Sequence, residues 1–281
     1  MSGLEEGSAV TIAVAPNGGR RTKSDHPALP MTSAELAAAA ADCADAGASM
    51  IHLHVRDRDG RHLLDAGAYA EAIAAVRRAV GERLVVQITS EALGIYGRDD
   101  QMEVVRTVRP EAVSLALREL APEADAERDF GGFLEWLRRE RILPQIILYT
   151  GEEAVRLDAL RARGIVPFDG VPVLYVLGRY SVGQRSSPAD LLPFIAEGMP
   201  RFGHWMTCAF GRREVACVTA AALLGGHVRV GFENNLLLPD GSTAPSNAAL
   251  VGATAGALTA CGLAIAGADE LRSAWSRLLG V

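Results

Sequence analysis

Eight times along the chain, a short run of β-branched and aliphatic residues is followed by a stretch carrying helix signals, with few long linkers between them. Parallel strands need a crossover between each pair, and a helix is the usual crossover, so this alternation predicts a parallel α/β architecture. Strand runs fall at 11–15, 50–55, 83–89, 112–115, 143–148, 172–177, 204–209 and 228–232, and helices at 66–80, 99–108, 126–140, 152–162, 213–224 and 247–258. An irregular loop, 16–31, follows the first strand. Thr32 and Glu35 then form a capping box opening a helix that Gly47 ends, and Pro188 opens another at its first turn. Eight units fit a closed (β/α)8 TIM barrel better than an open doubly wound sheet, which more often shows five or six. A last apolar helix, 269–279, is expected to pack outside the barrel and to contribute to assembly.

The 281 residues are read as one barrel domain, 1–281, with that C-terminal extra helix. A hydrophobic fraction of 49% against 22% charged residues excludes a disordered chain. The formal net charge of -6 offers no global field to gather nucleic acid or an anionic membrane. Residues 1–10 lack the basic start and apolar stretch of a signal peptide, and no later segment gives a clean membrane span. The four cysteines form no CxxC pair, so a disulfide framework is not expected, and the cytoplasm is the expected compartment. Gly18 and Gly19 follow a strand but lack the spacing of a dinucleotide loop.

Side chains alternate across a strand. On the second strand His52, His54 and Arg56 therefore share one face, and Ile51, Leu53 and Val55 the other. A barrel's outer face packs on helices and takes the apolar set, so both histidines are expected to point inward, where neutral imidazoles two residues apart can ligate one ion. The eighth strand repeats the pattern, with His227, Arg229, Gly231 and Glu233 opposite Val228, Val230 and Phe232. Barrel closure places it one neighbour from the first strand and two from the second, so Glu233 can join the two histidines and leave a position open, the usual arrangement of catalytic zinc. Iron, manganese or cobalt fit similar ligands. The alternative is a purely structural Arg229–Glu233 pair.

Arg229 is the natural anchor for a substrate carboxylate, since its planar fork donates two hydrogen bonds. Asn17, Gln87, Thr89, Ser90, Ser114 and Gln145 cluster at strand ends as candidates to orient substrate. Glu91 and Glu119 are possible acid or base groups, Arg118 a possible second anion anchor. His26 and His62 lie in turn-rich segments as exposed imidazoles without a required role, and His204 belongs to the bottom of the barrel.

These stretches resemble the β-keto acid cleavage enzymes, first described for 3-keto-5-aminohexanoate cleavage. The resemblance runs through Pro16, Asn17 and Gly18; residues 47–57; 87–89; Pro110, Glu111 and Ser114; 176–178; Gly211 and Arg212; the run 225–235; and Gly241, Asn247, Leu250 and Val251. It implies a (β/α)8 barrel, zinc on His52, His54 and Glu233, and homo-oligomers. It also implies condensation of a small β-keto acid with acetyl-CoA to give acetoacetate and a new acyl-CoA, with Arg229 holding the substrate. Two positions depart from the family pattern. The aspartate after the ligand glutamate, implicated with the arginine in proton abstraction, is Asn234 here, and an amide cannot serve as that base. A glutamate suited to an amino substrate, near the fifth strand, has Gln145 as its match. A CoA-independent metal lyase or aldolase, and a non-catalytic keto-acid-binding protein, are the alternative readings.

Overall fold

A computed structural model describes residues 9–280; residues 1–8, where most of the leader reading falls, lie outside the described residues. Eight parallel strands close into a barrel in sequential order: β1 (Ile12–Val14), β2 (Met50–Leu53), β3 (Val85–Thr89), β4 (Ala112–Ala116), β5 (Leu143–Leu148), β6 (Val173–Leu177), β7 (Trp205–Ala209) and β8 (His227–Val230). Closure pairs β8 with β1, Val228 beside Ile12 and Arg229 beside Ala13. The expected alternation holds. Ile51, Leu53, Val228 and Val230 are fully buried with the core residues of the surrounding helices, among them Leu36, Tyr69, Val76 and Val218.

Helices Ser33–Asp45, Ala66–Val80, Arg98–Val108, Glu127–Glu140, Gly151–Ala162, Glu214–Leu223 and Asn247–Ala260 follow their strands as read from the sequence. The capping box is formed, with Glu35 N donating to Thr32 Oγ1 and Thr32 N to Glu35 Oε2. Only the sixth crossover is slight. After Pro188 a 3-10 turn (Pro188–Leu191) runs into one short helix (Leu192–Ile195).

Two strands end earlier than the apolar pattern suggests. Leu53 is the last barrel residue of β2, and Val55–Arg56 instead pairs antiparallel with His62–Leu63 in a small hairpin. On β8 the ladder stops at Val230, because Gly231 takes φ +133° and lies against the Ala15 carbonyl, where a Cβ would collide. The chain turns there, so Phe232 does not continue the helix-facing set of β8. It packs in a separate cluster with Leu29, Ala244 and Leu250.

The last helix, Ala268–Leu279, lies against the N-terminal end of the barrel. Trp275 is fully buried edge-on to His204, and Arg272 reaches Glu111 Oε1 at 2.6 Å and the Leu84 carbonyl. His204 is at this lower end, as its sequence position predicts, stacked on His227 with ring centroids 3.9 Å apart. All four cysteines are free, and no helix among the described residues is long and apolar enough to cross a membrane.

Candidate active site

At the opposite, C-terminal end of the strands, where barrel enzymes place their chemistry, three side chains converge. His52 comes from β2, His54 from the residue just past it, and Glu233 from the turn after β8. His52 Nε2 is 3.2 Å from His54 Nε2, and Glu233 Oε2 lies 3.4 Å from His54 Nε2 and 3.8 Å from His52 Nε2. The His52 Nδ1–H donates to Gln87 Oε1 at 2.8 Å, which leaves the Nε2 lone pair facing its neighbours. Burial first, and the Arg229 charge second, push His52 down to about 3, so this imidazole is neutral near pH 7. Burial alone would raise the Glu233 carboxyl, but Arg229 and the two imidazoles hold it well below the ordinary carboxylate range.

Lone pairs of a neutral imidazole and a carboxylate facing each other in a buried site suit a cation between them. Glu233 Oε2 is buried without a hydrogen-bond partner, while Oε1 is held by Arg229 at 3.2 Å. Ligand atoms about 2.0–2.1 Å from a tetrahedral ion sit about 3.3 Å apart, close to the separations found here. The donor set therefore fits a divalent metal ion.

The carboxylate is placed by the backbone behind it. Glu233 N donates to the Ala15 carbonyl, Phe232 N to Asn247 Oδ1, and Gly231 N to Glu214 Oε1. Glu214 also accepts from Asn235 Nδ2, and burial pushes its carboxyl up to about 8. Gly18, at φ +64°, leaves the space against which Glu233 packs; a Cβ there would come within 2.6 Å of Glu233 Cγ. The sequence reading passed over Glu214, whose only signal was an acidic residue at the start of an otherwise apolar helix.

Above the three candidate ligands opens a small pocket. Of the sequence-predicted residues, His52, His54, Thr89, Glu91, Ser114, Arg229 and Glu233 line it. Arg229 is 3% exposed and its Nε has no partner, and the Ser114 hydroxyl is also buried and unpartnered. Glu91 Oε2 lies 3.9 Å from His54 Nδ1, and its Oε1 3.7 Å from Arg179.

Other predicted positions stand behind the wall. Gln87 joins His52 to Gln145, which itself contacts Met206 Sδ, and Ser90 Oγ donates to the Ser114 carbonyl. Asn17 donates to the carbonyls of Pro30 and His54, fixing the end of β2 from the β1 loop; it borders only an adjoining cleft. Asn234 is fully buried, with both amide atoms unpartnered, and does not line the pocket. Glu119 accepts from Ala92 N, and Arg118 pairs with Glu153 at 2.6 Å beneath the Tyr149 ring. Arg56 turns away from the pocket to hold the Gly18, Gly60 and Arg21 carbonyls.

The expectation that His26 and His62 are exposed is corrected. Both are buried, His26 bonded to the Ala244 carbonyl and His62 to that of Glu91, with the His62 ring 5.5 Å from that of His54. The unforeseen part of the lining is Arg179, just past β6, and the apolar group Ala116, Ile147, Tyr149, Val176 and Phe210. Ile147 and Tyr149 share the face of Gln145 by alternation, a signal that reading at Gln145 stopped short of.

Comparison with known proteins agrees with this geometry. A family model described as β-keto acid cleavage enzyme matches residues 9–276. The 3-keto-5-aminohexanoate cleavage enzyme of Fusobacterium nucleatum is 30% identical over 272 residues, 94% of this chain and 95% of that protein. The 3-oxoadipate:acetyl-CoA acetyltransferase of Cupriavidus necator is 27% identical over 273 residues, covering 93% of each. Among solved structures, apo ObcA shares the fold with a TM-score of 0.70 at 16% identity, over 91% of this chain and 66% of that longer one.

Proposed function

Because the chain belongs to the β-keto acid cleavage enzyme family, we propose that it is a zinc-dependent acyltransferase that condenses a β-keto acid with acetyl-CoA and releases acetoacetate and a new acyl-CoA. The observation that carries the reading is the juxtaposition of the unpartnered Glu233 Oε2, the two facing imidazoles and the unpartnered Arg229 Nε around one pocket. Such a site offers a cation and a fixed guanidinium to a small molecule bearing a carbonyl and a carboxylate. Zinc is the ion these ligands suit, and when bound it supplies a Lewis acid for the keto oxygen.

The chain's own groups account for the rest. Arg229 holds the substrate carboxylate and the negative charge that spreads over the enolate when a C2 proton leaves. Ser114 and Thr89 offer hydroxyls to the same substrate from β4 and β3. C2 then bonds to the acetyl carbon as the CoA thiolate departs. The thiolate returns to the original C3 carbonyl, the C2–C3 bond breaks, and the leaving enolate takes up a proton to become acetoacetate. Asn234 supplies no base for the first step, and of the two glutamates raised from the sequence only Glu91 stands in the pocket.

Mass spectrometry of the purified, metal-analysed protein with acetyl-CoA and a panel of β-keto acids tests the reading. Acetoacetate and a new acyl-CoA appearing together, and only with metal bound, are expected. A metal-loaded, folded protein that forms neither refutes it; keto-acid cleavage without CoA would instead identify a lyase.

A further inference from the structure

The candidate metal ligands and Arg229 come from β2, β8 and the residues just past their ends, on one side of the closed barrel. Diametrically across stand β4, β5 and β6, and apart from the Ser114 hydroxyl what they present to the pocket is apolar or aromatic: Ala116, Ile147, Tyr149, Val176 and, from beyond β7, Phe210. A β-keto acid whose carbonyl and carboxylate face the ligand side must extend its remaining carbons toward this wall. Nothing on the wall offers a free charge. Arg118 lies behind the Tyr149 ring and is paired with Glu153. The rim charges Glu91 and Arg179 face each other at 3.7 Å, and Arg179 sits over the Phe210 ring with its guanidinium carbon 5.3 Å from the centroid. A charged tail entering here loses water and meets no unpaired opposite charge, whereas an alkyl tail has little hydration to lose.

We infer that this enzyme selects β-keto acids with a short, uncharged alkyl tail, and that Ile147 on β5 is a specificity-determining residue. The inference rests on the acyltransferase reading above, since that reading sets which end of the substrate faces the ligands.

Three six-carbon acids of equal length separate the tail chemistries: 3-oxohexanoate (neutral), 5-amino-3-oxohexanoate (cationic) and 3-oxoadipate (anionic). Each is titrated calorimetrically into the zinc-loaded protein, and kcat/KM for acyl-CoA formation is measured in parallel. The neutral acid is expected to lead both charged acids by about tenfold or more in binding and in kcat/KM. A charged acid that equals or exceeds it overturns the inference while leaving the acyltransferase reading intact. Binding in the expected order without acyl-CoA formation upholds the wall's preference and refutes the acyltransferase; no binding of any of the three refutes both. Ile147→Glu is expected to move the preference toward the aminated acid, and Ile147→Ala, which keeps the wall apolar and folds more readily, to preserve the wild-type order. An Ile147→Ala protein that favours a charged acid removes the role assigned to this wall.

Discussion

Replacing Gln87 by Met tests whether the metal centre depends on a residue that touches neither metal nor substrate. Gln87 is fully buried and absent from the pocket lining, yet its Oε1 accepts the His52 Nδ1–H at 2.8 Å and its amide reaches Gln145 Oε1 at 3.2 Å. That first bond fixes the tautomer of His52, putting the proton on Nδ1 and the lone pair on Nε2, where Glu233 and His54 converge. Methionine has nearly the same length but only a weak thioether acceptor. Loss of such an outer partner typically lowers metal affinity about 10- to 100-fold, which is about 1.4–2.7 kcal/mol. The unsatisfied imidazole N–H adds a folding cost of about 1–3 kcal/mol. Competition for zinc against a chromophoric chelator reads the affinity, and circular dichroism establishes that the variant is folded. Gln145→Met is the control, because it disturbs the same buried pair without touching His52. Wild-type zinc affinity in folded Gln87→Met, or an equal loss in Gln145→Met, refutes the reasoning.

Arg229→Gln removes the only guanidinium bonded to Glu233 among the described residues; kcat/KM is expected to fall by about 10²–10³, and steady-state rates within tenfold of wild type count against its role. Gly231→Ala forces a Cβ into the Ala15 carbonyl at φ +133°, so a stability loss of at least about 1–3 kcal/mol is expected together with reduced metal content; urea melts and metal analysis matching wild type contradict the argument for that turn. Burial alone would raise the Glu35 carboxyl, but Lys23 at 2.6 Å and the Met31 and Thr32 amides hold it down to about 2, below its ordinary 4.5. Its contribution is therefore complete above that ordinary value and is lost as pH falls toward about 2. The stability gap between wild type and Glu35→Gln is expected to be level from about pH 7 to 5 and to shrink below it; a gap that widens on acidification in urea melts refutes the assignment.

The two candidate ligand histidines were legible because a two-residue period is a property of any strand, and the apolar partners Ile51 and Leu53 decide which face is which. The same logic found Arg229. It reached Glu233 by a partly mistaken route, since β8 ends at Val230 and the glutamate arrives through the turn at Gly231 rather than by two more residues of alternation. Both the strand pattern and the turn put that side chain on the barrel mouth, so the conclusion survived the error in the path. His62 was misjudged for a related reason: a turn-rich composition around it reads as solvent-exposed, while the hairpin with Val55–Arg56 folds it down beside His54.

What was illegible follows from how a barrel mouth is built. On β3 and β5 the last inward residue faces the pocket and the one two before it the packed interior, and from sequence the level of that floor is unmarked. Hence Gln87 and Gln145, polar and conspicuous, drew the substrate roles, although neither lines the pocket: they bond to each other, and Gln87 also to His52. The residues one step higher on the same faces, Thr89 on β3 and Ile147 on β5, reach the pocket. An isoleucine at that level reads from sequence as ordinary core. Its meaning depends on the ring of strands being closed, because only closure sets Ile147 opposite His52, His54 and Glu233 and turns a core residue into the surface that, on the inference above, receives a substrate's tail.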